Sequence, residues 1–136
     1  MKTFNLKELL TNIITKINGI GTIYRDSGSA SLANTTTLTK LSYSHSLPAG
    51  RWVVNYSIRF QTSAATGTRG TSMGMNSSQY AAGYAAGPGT TAMHALSGST
   101  CFASNAQWTL NFYARQNSGA STTVDIYWDA IRVGPY

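Results

Sequence analysis

The hydrophobic pattern changes period once along the chain. Over the first eighteen residues apolar positions recur at three and four: Leu6, Ile13 and Ile20 fall at the d positions of one heptad register, Leu10 and Ile17 at a, and Leu9 and Ile14 at the flanking g and e. This spacing predicts an amphipathic helix with marked ends. Asn5 as N-cap with Glu8 three residues on is a capping-box pattern, Phe4 and Leu9 stand where a hydrophobic staple would place them, and Gly19 supplies the stop.

From Gly21 the period falls to two. RWVVNYSIRF places Trp52, Val54, Tyr56, Ile58 and Phe60 on one face and Arg51, Val53, Asn55, Ser57 and Arg59 on the other, as a half-buried strand requires. LTKLSYSHSLPAG before it reads as a strand running into a turn over 48–50. Later, Trp108, Leu110, Phe112 and Ala114 alternate with Gln107, Thr109, Asn111, Tyr113 and Arg115; the linker QNSGAS follows, then Val124, Ile126 and Trp128 on a closing strand. Shorter segments around 22–25, 71–75 and 92–102 add further strands. With loops rich in Gly, Ser and Thr and no helical pattern between strands, the fold class is all-β: an antiparallel sandwich or jelly roll preceded by one short helix. The division expected is 1–20 for the helix and 21–136 for the sandwich.

Two stretches together resemble a known family. SLPAGRWVVNYSIRF is similar to the Leu-Pro-Ala-Gly-aromatic turn and strand of many phage fibre-tip domains, and TTVDIYWDAIRVGPY looks like their closing strand. The resemblance covers roughly 36–61 and 106–136. It implies a jelly roll of the tumour-necrosis-factor-like or complement-like kind, commonly trimeric, carried at the end of a stalk and binding host-surface receptors that are often carbohydrate. No family-wide site residues map onto this chain, and one short helix stands where a long stalk would be.

Leu at a with Ile at d favours three or four strands over two, so the helix itself predicts a short parallel trimer. At about the 12–15 residue limit for an isolated helix, it needs partners or a body to lie on. Packing on its own domain or on another virion protein is the alternative; too few cations mark the polar face for a membrane-surface role.

Composition narrows the function. Only 10% of the 136 residues are charged and 42% are hydrophobic, so Ser, Thr, Asn and Gly must build much of the surface. The net charge of +6 comes from cations scattered without a run or a nucleic-acid motif. Cys101 is the sole cysteine, which excludes an intrachain disulfide and a multi-cysteine zinc site; its expected role is a small buried apolar side chain. The N-terminal segment contains Glu8, has no small-residue cleavage site and is neither a signal peptide nor a membrane span.

Catalysis finds little support. The four carboxylates are Glu8, Asp26, Asp125 and Asp129, and the only near pair, Asp125 and Asp129, would sit about 13 Å apart along one strand, too far for a glycosidase pair. His45 alternates with Tyr43 on a strand face and His94 is placed near a Tyr-rich loop; neither belongs to a nucleophile or metal motif. No cofactor or metal is expected. The eight Tyr and three Trp suit sugar stacking better. Trp52, Trp108 and Trp128 fall in alternating apolar sets and are assigned to the core. That leaves Tyr80, Tyr84, His94 and Tyr113 as candidate ligand contacts, and Leu6, Leu10, Ile13, Ile17 and Ile20 as the trimerisation stripe.

YAAGYAAGPG, residues 80–89, repeats a unit of four that fits helix and strand alike. Its glycines argue against a regular helix and Pro88 against a central strand. Two readings stay open: close backbone approach at a threefold axis or sheet contact, or an exposed loop offering Tyr80 and Tyr84 to a receptor. The function expected is a non-enzymatic homotrimeric virion fibre module for host-surface carbohydrate. The alternative is a structural or decoration protein of the particle with no ligand of its own.

Overall fold

The computed structural model describes residues 3, 5–17, 19–61, 67–88 and 94–136, with the side chains of 16, 80–88 and 94 outside that description. Helix α1 spans Leu6–Ile17. Its N-cap is the expected one: the Asn5 side-chain oxygen accepts the Glu8 backbone N–H at 3.2 Å, and the Asn5 carbonyl takes the first helical bond from Leu9. Phe4 of the expected staple lies outside the described residues. Gly19, at φ +85°, turns the chain out of the helix. Ile20 therefore stands in the turn after α1 and not on it, so the stripe on the helix proper ends at Ile17.

Eight strands follow: β1 (Ile23–Leu32), β2 (Thr35–Leu47), β3 (Gly50–Phe60), β4 (Thr68–Met75), β5 (Ser78–Pro88), β6 (His94–Ser104), β7 (Trp108–Gln116) and β8 (Thr122–Gly134). They form two four-stranded antiparallel sheets, sheet A in the order β1-β8-β3-β6 and sheet B in the order β2-β7-β4-β5. Consecutive strands thus alternate largely between the sheets, and the edge strands β1 and β2, like β5 and β6, lie against each other. The architecture is the sandwich that the period-two pattern predicts.

The alternation explains the core. Trp52, Val54, Tyr56, Ile58 and Phe60 of β3 and Val124, Ile126, Trp128 and Ala130 of β8 face Leu110, Phe112, Ala114 and Met73 of sheet B, all buried. The assignment of all three tryptophans to the core is correct. Trp52 also fixes the β2–β3 turn, its indole N–H donating to the Pro48 carbonyl at 3.1 Å.

Four expectations need correction. Of the two readings of YAAGYAAGPG, the exposed loop does not hold for 80–88: these residues belong to β5, at the edge of sheet B, with Pro88 at its end, where proline is tolerated. The repeat does not run evenly along β4, because Thr71 pairs with Ala85 but Met73 with Tyr80. His94 opens β6 opposite Phe60 and is not in a loop. Tyr113, placed by alternation on a solvent face, is only 8% exposed, since β7 is a central strand and Lys40 and Ser72 flank it in register. Cys101 is exposed, because Phe102 takes the core side of β6 and turns its neighbour outward.

Among the described residues, the sandwich does not bury the apolar stripe of the helix: the Leu and Ile side chains of α1 remain 42% to 60% exposed.

Candidate functional site

Cross-strand register fixes what the outer face of sheet A presents. Nearest the helix is an apolar row, Ile23–Ile131–Val53–Cys101 from β1 to β6. Next come Arg25–Asp129–Asn55–Ser99, then Ser27–Tyr127–Ser57–Ser97, then Ser29–Asp125–Arg59–Ala95. Short side chains in the middle rows leave a broad, open groove of about 940 Å³, lined among others by Arg25, Asn55, Ser57, Ser99, Tyr127 and Asp129.

The groove's polar groups are held in place. Asn55 donates its side-chain amide to Asp129 Oδ1 at 2.8 Å. Arg59 donates Nε and Nη2 to Asp125 Oδ2 at 3.2 and 2.9 Å, and Gln61 Nε2 adds bonds to both oxygens at 3.1 and 3.0 Å. The Arg59 bonds, and after them that of Gln61, hold the Asp125 carboxyl below its ordinary range, and the same pairing raises Arg59. Arg59 also donates to the Tyr127 hydroxyl at 3.1 Å and lies 5.6 Å from its ring centroid, a cation–π contact on a tyrosine that is 44% exposed. Asp125 and Asp129 flank Tyr127 on one strand face, each with its own partner.

A second polar cluster ties the β1 and β2 edges together. Trp128 Nε1 donates to the Tyr43 hydroxyl at 2.9 Å, which donates to Asp26 Oδ2 at 3.0 Å. The Ser27 backbone N–H and then Tyr43 lower the Asp26 carboxyl; burial, ahead of the neighbouring Asp26, raises the Tyr43 phenol. His45 has its ring 4.9 Å from Trp128 and Nδ1 3.7 Å from Asp26 Oδ2, on the strand face that alternation with Tyr43 assigns to it.

Of the four ligand contacts expected from sequence, the structure withdraws Tyr113 by burial. The side chains of Tyr80, Tyr84 and His94 lie outside the described residues. The face that carries the groove was present in the sequence as the polar set of RWVVNYSIRF and the matching set of TTVDIYWDAIRV. Missing was the long-range pairing of β3 with β8, which local pattern does not contain.

No family model and no curated protein sequence matches the chain. Solved structures match its fold. A chain of the infectious bursal disease virus Gx strain is 13% identical over 86% of this chain, with a TM-score of 0.50; this chain spans only 34% of that one. The PRD1 vertex protein P5 is 15% identical, covering 85% of this chain and 99% of its own length, with a TM-score of 0.49. Eiger TNF from S. frugiperda is 8% identical over 82% of this chain and 96% of its own, with a TM-score of 0.46. At these identities the likeness concerns the jelly-roll fold alone.

Proposed function

We propose that the chain is a non-enzymatic homotrimeric module of a virion fibre that binds host-surface carbohydrate. The observation that carries this reading is the exposed stripe of Leu6, Leu10, Ile13 and Ile17 on a correctly capped helix, which the described residues of the sandwich do not bury. Soluble chains do not leave so contiguous an apolar surface in water without a use for it. Taking each of these side chains from half exposure to burial gains on the order of 1 kcal/mol, and the a/d identities favour three or more copies over two. Assignment to a virion rests on the likeness of the LPAG turn and closing strand to fibre-tip domains, with which the jelly-roll fold is compatible.

The sandwich has two ends. The helix joins at the end where β1 begins and β8 finishes; the β1–β2 and β7–β8 connections lie at the other. That remote end carries polar groups on an organised loop. Buried Gln116 accepts the Ser118 N–H at 3.0 Å and donates to the Ala120 carbonyl at 2.6 Å, and Asn34 accepts the Gly119 N–H at 3.0 Å. A fibre module with its helix toward the particle would turn this end to the host.

Glycan-array and host-envelope binding by the intact chain test the ligand half of the proposal. Binding to a defined set of saccharides, weakened in a Leu10→Asp/Ile17→Asp variant through lost multivalency, is the expected result. Stable trimers that bind neither glycan nor host envelope would instead favour the structural or decoration reading.

A further inference from the structure

Among the described Tyr, Trp and Phe side chains of the eight strands, Tyr127 on β8 is the exposed one. The two faces of its ring meet different surroundings. The Arg59 guanidinium lies over one, 5.6 Å from the centroid. Neither Arg59 nor Asp125 lines the groove, whereas Tyr127, Asn55 and Asp129 do, so the other ring face is turned toward the groove. Its neighbours across the strands, Ser27 and Ser57, are too short to cover it. The ring is held in this position by a chain of bonds running from Gln61 to Asp125, from Asp125 to Arg59 and from Arg59 to the Tyr127 hydroxyl. Because that hydroxyl accepts from Arg59, its own proton is available to donate to a ligand.

Beside the ring, the groove gathers polar groups with bonding capacity to spare. The hydroxyls of Ser57 and Ser99 and the guanidinium of Arg25 make no hydrogen bond among the described residues, and Asp129 gives Oδ1 to Asn55 while its Oδ2 takes no bond from them. Thr is the polar residue that strands favour, and β2 uses it freely; short serines on this face instead hollow the surface of the sheet. Arg25 is offset by Asp26 and Asp129, so the groove offers no net positive charge to an anion. A flat apolar ring face next to fixed donors and acceptors matches a pyranose, which has an apolar C–H face and a rim of hydroxyls. The volume of about 940 Å³ lies near the top of the range of about 300–1,000 Å³ for small-ligand sites, and four strands about 4.8 Å apart make the groove about 14 Å long across the sheet, room for a short oligosaccharide.

We propose that this groove binds a neutral oligosaccharide, one sugar ring stacking on Tyr127 while Asn55, Asp129, Arg25, Ser57 and Ser99 bond its hydroxyls. The inference rests on the carbohydrate half of the proposed function and adds to it the site and the class of sugar, uncharged and not sialylated, sulfated or phosphorylated. It needs no second chain, since β1, β8, β3 and β6 of one copy supply every group. At the remote end, by contrast, Gln116 and Asn34 direct their bonds to their own loop. The bonds already made by Asn55 and Tyr127 fix both side chains before a ligand arrives, which lowers the ordering cost of binding.

The test is an array of neutral and anionic glycans probed with the intact chain, followed by calorimetric titration of the best-bound glycan against variants. Tyr127→Ala should raise the dissociation constant about tenfold or more, and Tyr127→Phe, which keeps the ring, should raise it less. Ser99→Trp, on the edge strand β6, fills the groove with an exposed side chain and should abolish binding even if Tyr127→Ala fails to fold. Tyr136→Ala removes an exposed ring outside the groove and should leave the constant unchanged. Neutral glycan binding that both Tyr127→Ala and Ser99→Trp leave intact would overturn the inference while keeping the carbohydrate reading, and so would a best-bound glycan that is anionic. A groove variant that keeps the circular dichroism of the native chain but changes its light-scattering mass would also overturn it, by giving the face to contacts between copies. A native chain that binds no glycan on the array would remove the carbohydrate reading itself, and this site with it.

Discussion

Tyr43 crosses from sheet B to sheet A, and the space it occupies is the space a side chain at position 28 would need: a Cβ on Gly28 would collide with its ring. Gly28→Val should thus cost about 1–3 kcal/mol by displacing the ring, and Tyr43→Phe a similar 1–3 kcal/mol by leaving the Trp128 indole N–H without its acceptor. Urea denaturation of both variants checks this. Acid sensitivity also belongs to single residues. Asp125 and Asp26 both have folded pKa values below the ordinary one, so the unfolded chain takes up these protons first. Their contribution is present above the unfolded-state value, about 3.9, and is lost as pH falls through the lower folded values. Melting temperature should accordingly drop below about pH 4, and Asp125→Asn should reduce that drop. At this scale the sequence was informative where a residue sits in a strict alternation, as Trp52 and Trp128 do. It misled at Tyr113, which is buried because β7 is a central strand, and at Cys101, which is exposed because Phe102 takes the core side of β6.

Among the elements, α1 is the most legible, since its cap, its stop and its stripe are all local features. Asn5→Ala should cost the helix about 1 kcal/mol through loss of the N-cap bond, measurable as lower helical ellipticity. Leu10→Asp with Ile17→Asp should abolish assembly, because each charge would enter an apolar layer unpaired; light scattering on the variant reads the outcome, and an unchanged mass would contradict it. β3, β7 and β8 were equally plain, each burying one alternating face. β5 was not. Its Ala, Gly and Pro content is poor in strand preference, and it is a strand because β4 offers it an edge to pair with, a tertiary effect that overrides local propensity. Tyr80 and Tyr84 thus belong to an irregular edge strand and not to a free loop.

At the scale of the whole molecule, the two-sheet sandwich follows from period-two segments and short turns, whereas the surface that matters most does not. The outer face of sheet A is assembled from β1, β8, β3 and β6, which are far apart in sequence, so its apolar row and groove appear only with the register in hand. Among the described residues, the exposed large apolar side chains lie on α1, in the turn after it, on β1 and β8, and at Tyr136. The central claim is that the exposed apolar stripe of α1 is covered by copies of the chain. Light-scattering mass of the intact protein at micromolar concentration tests it most directly: the account predicts three times the 14.5 kDa chain mass, and a monomer at every concentration would contradict it.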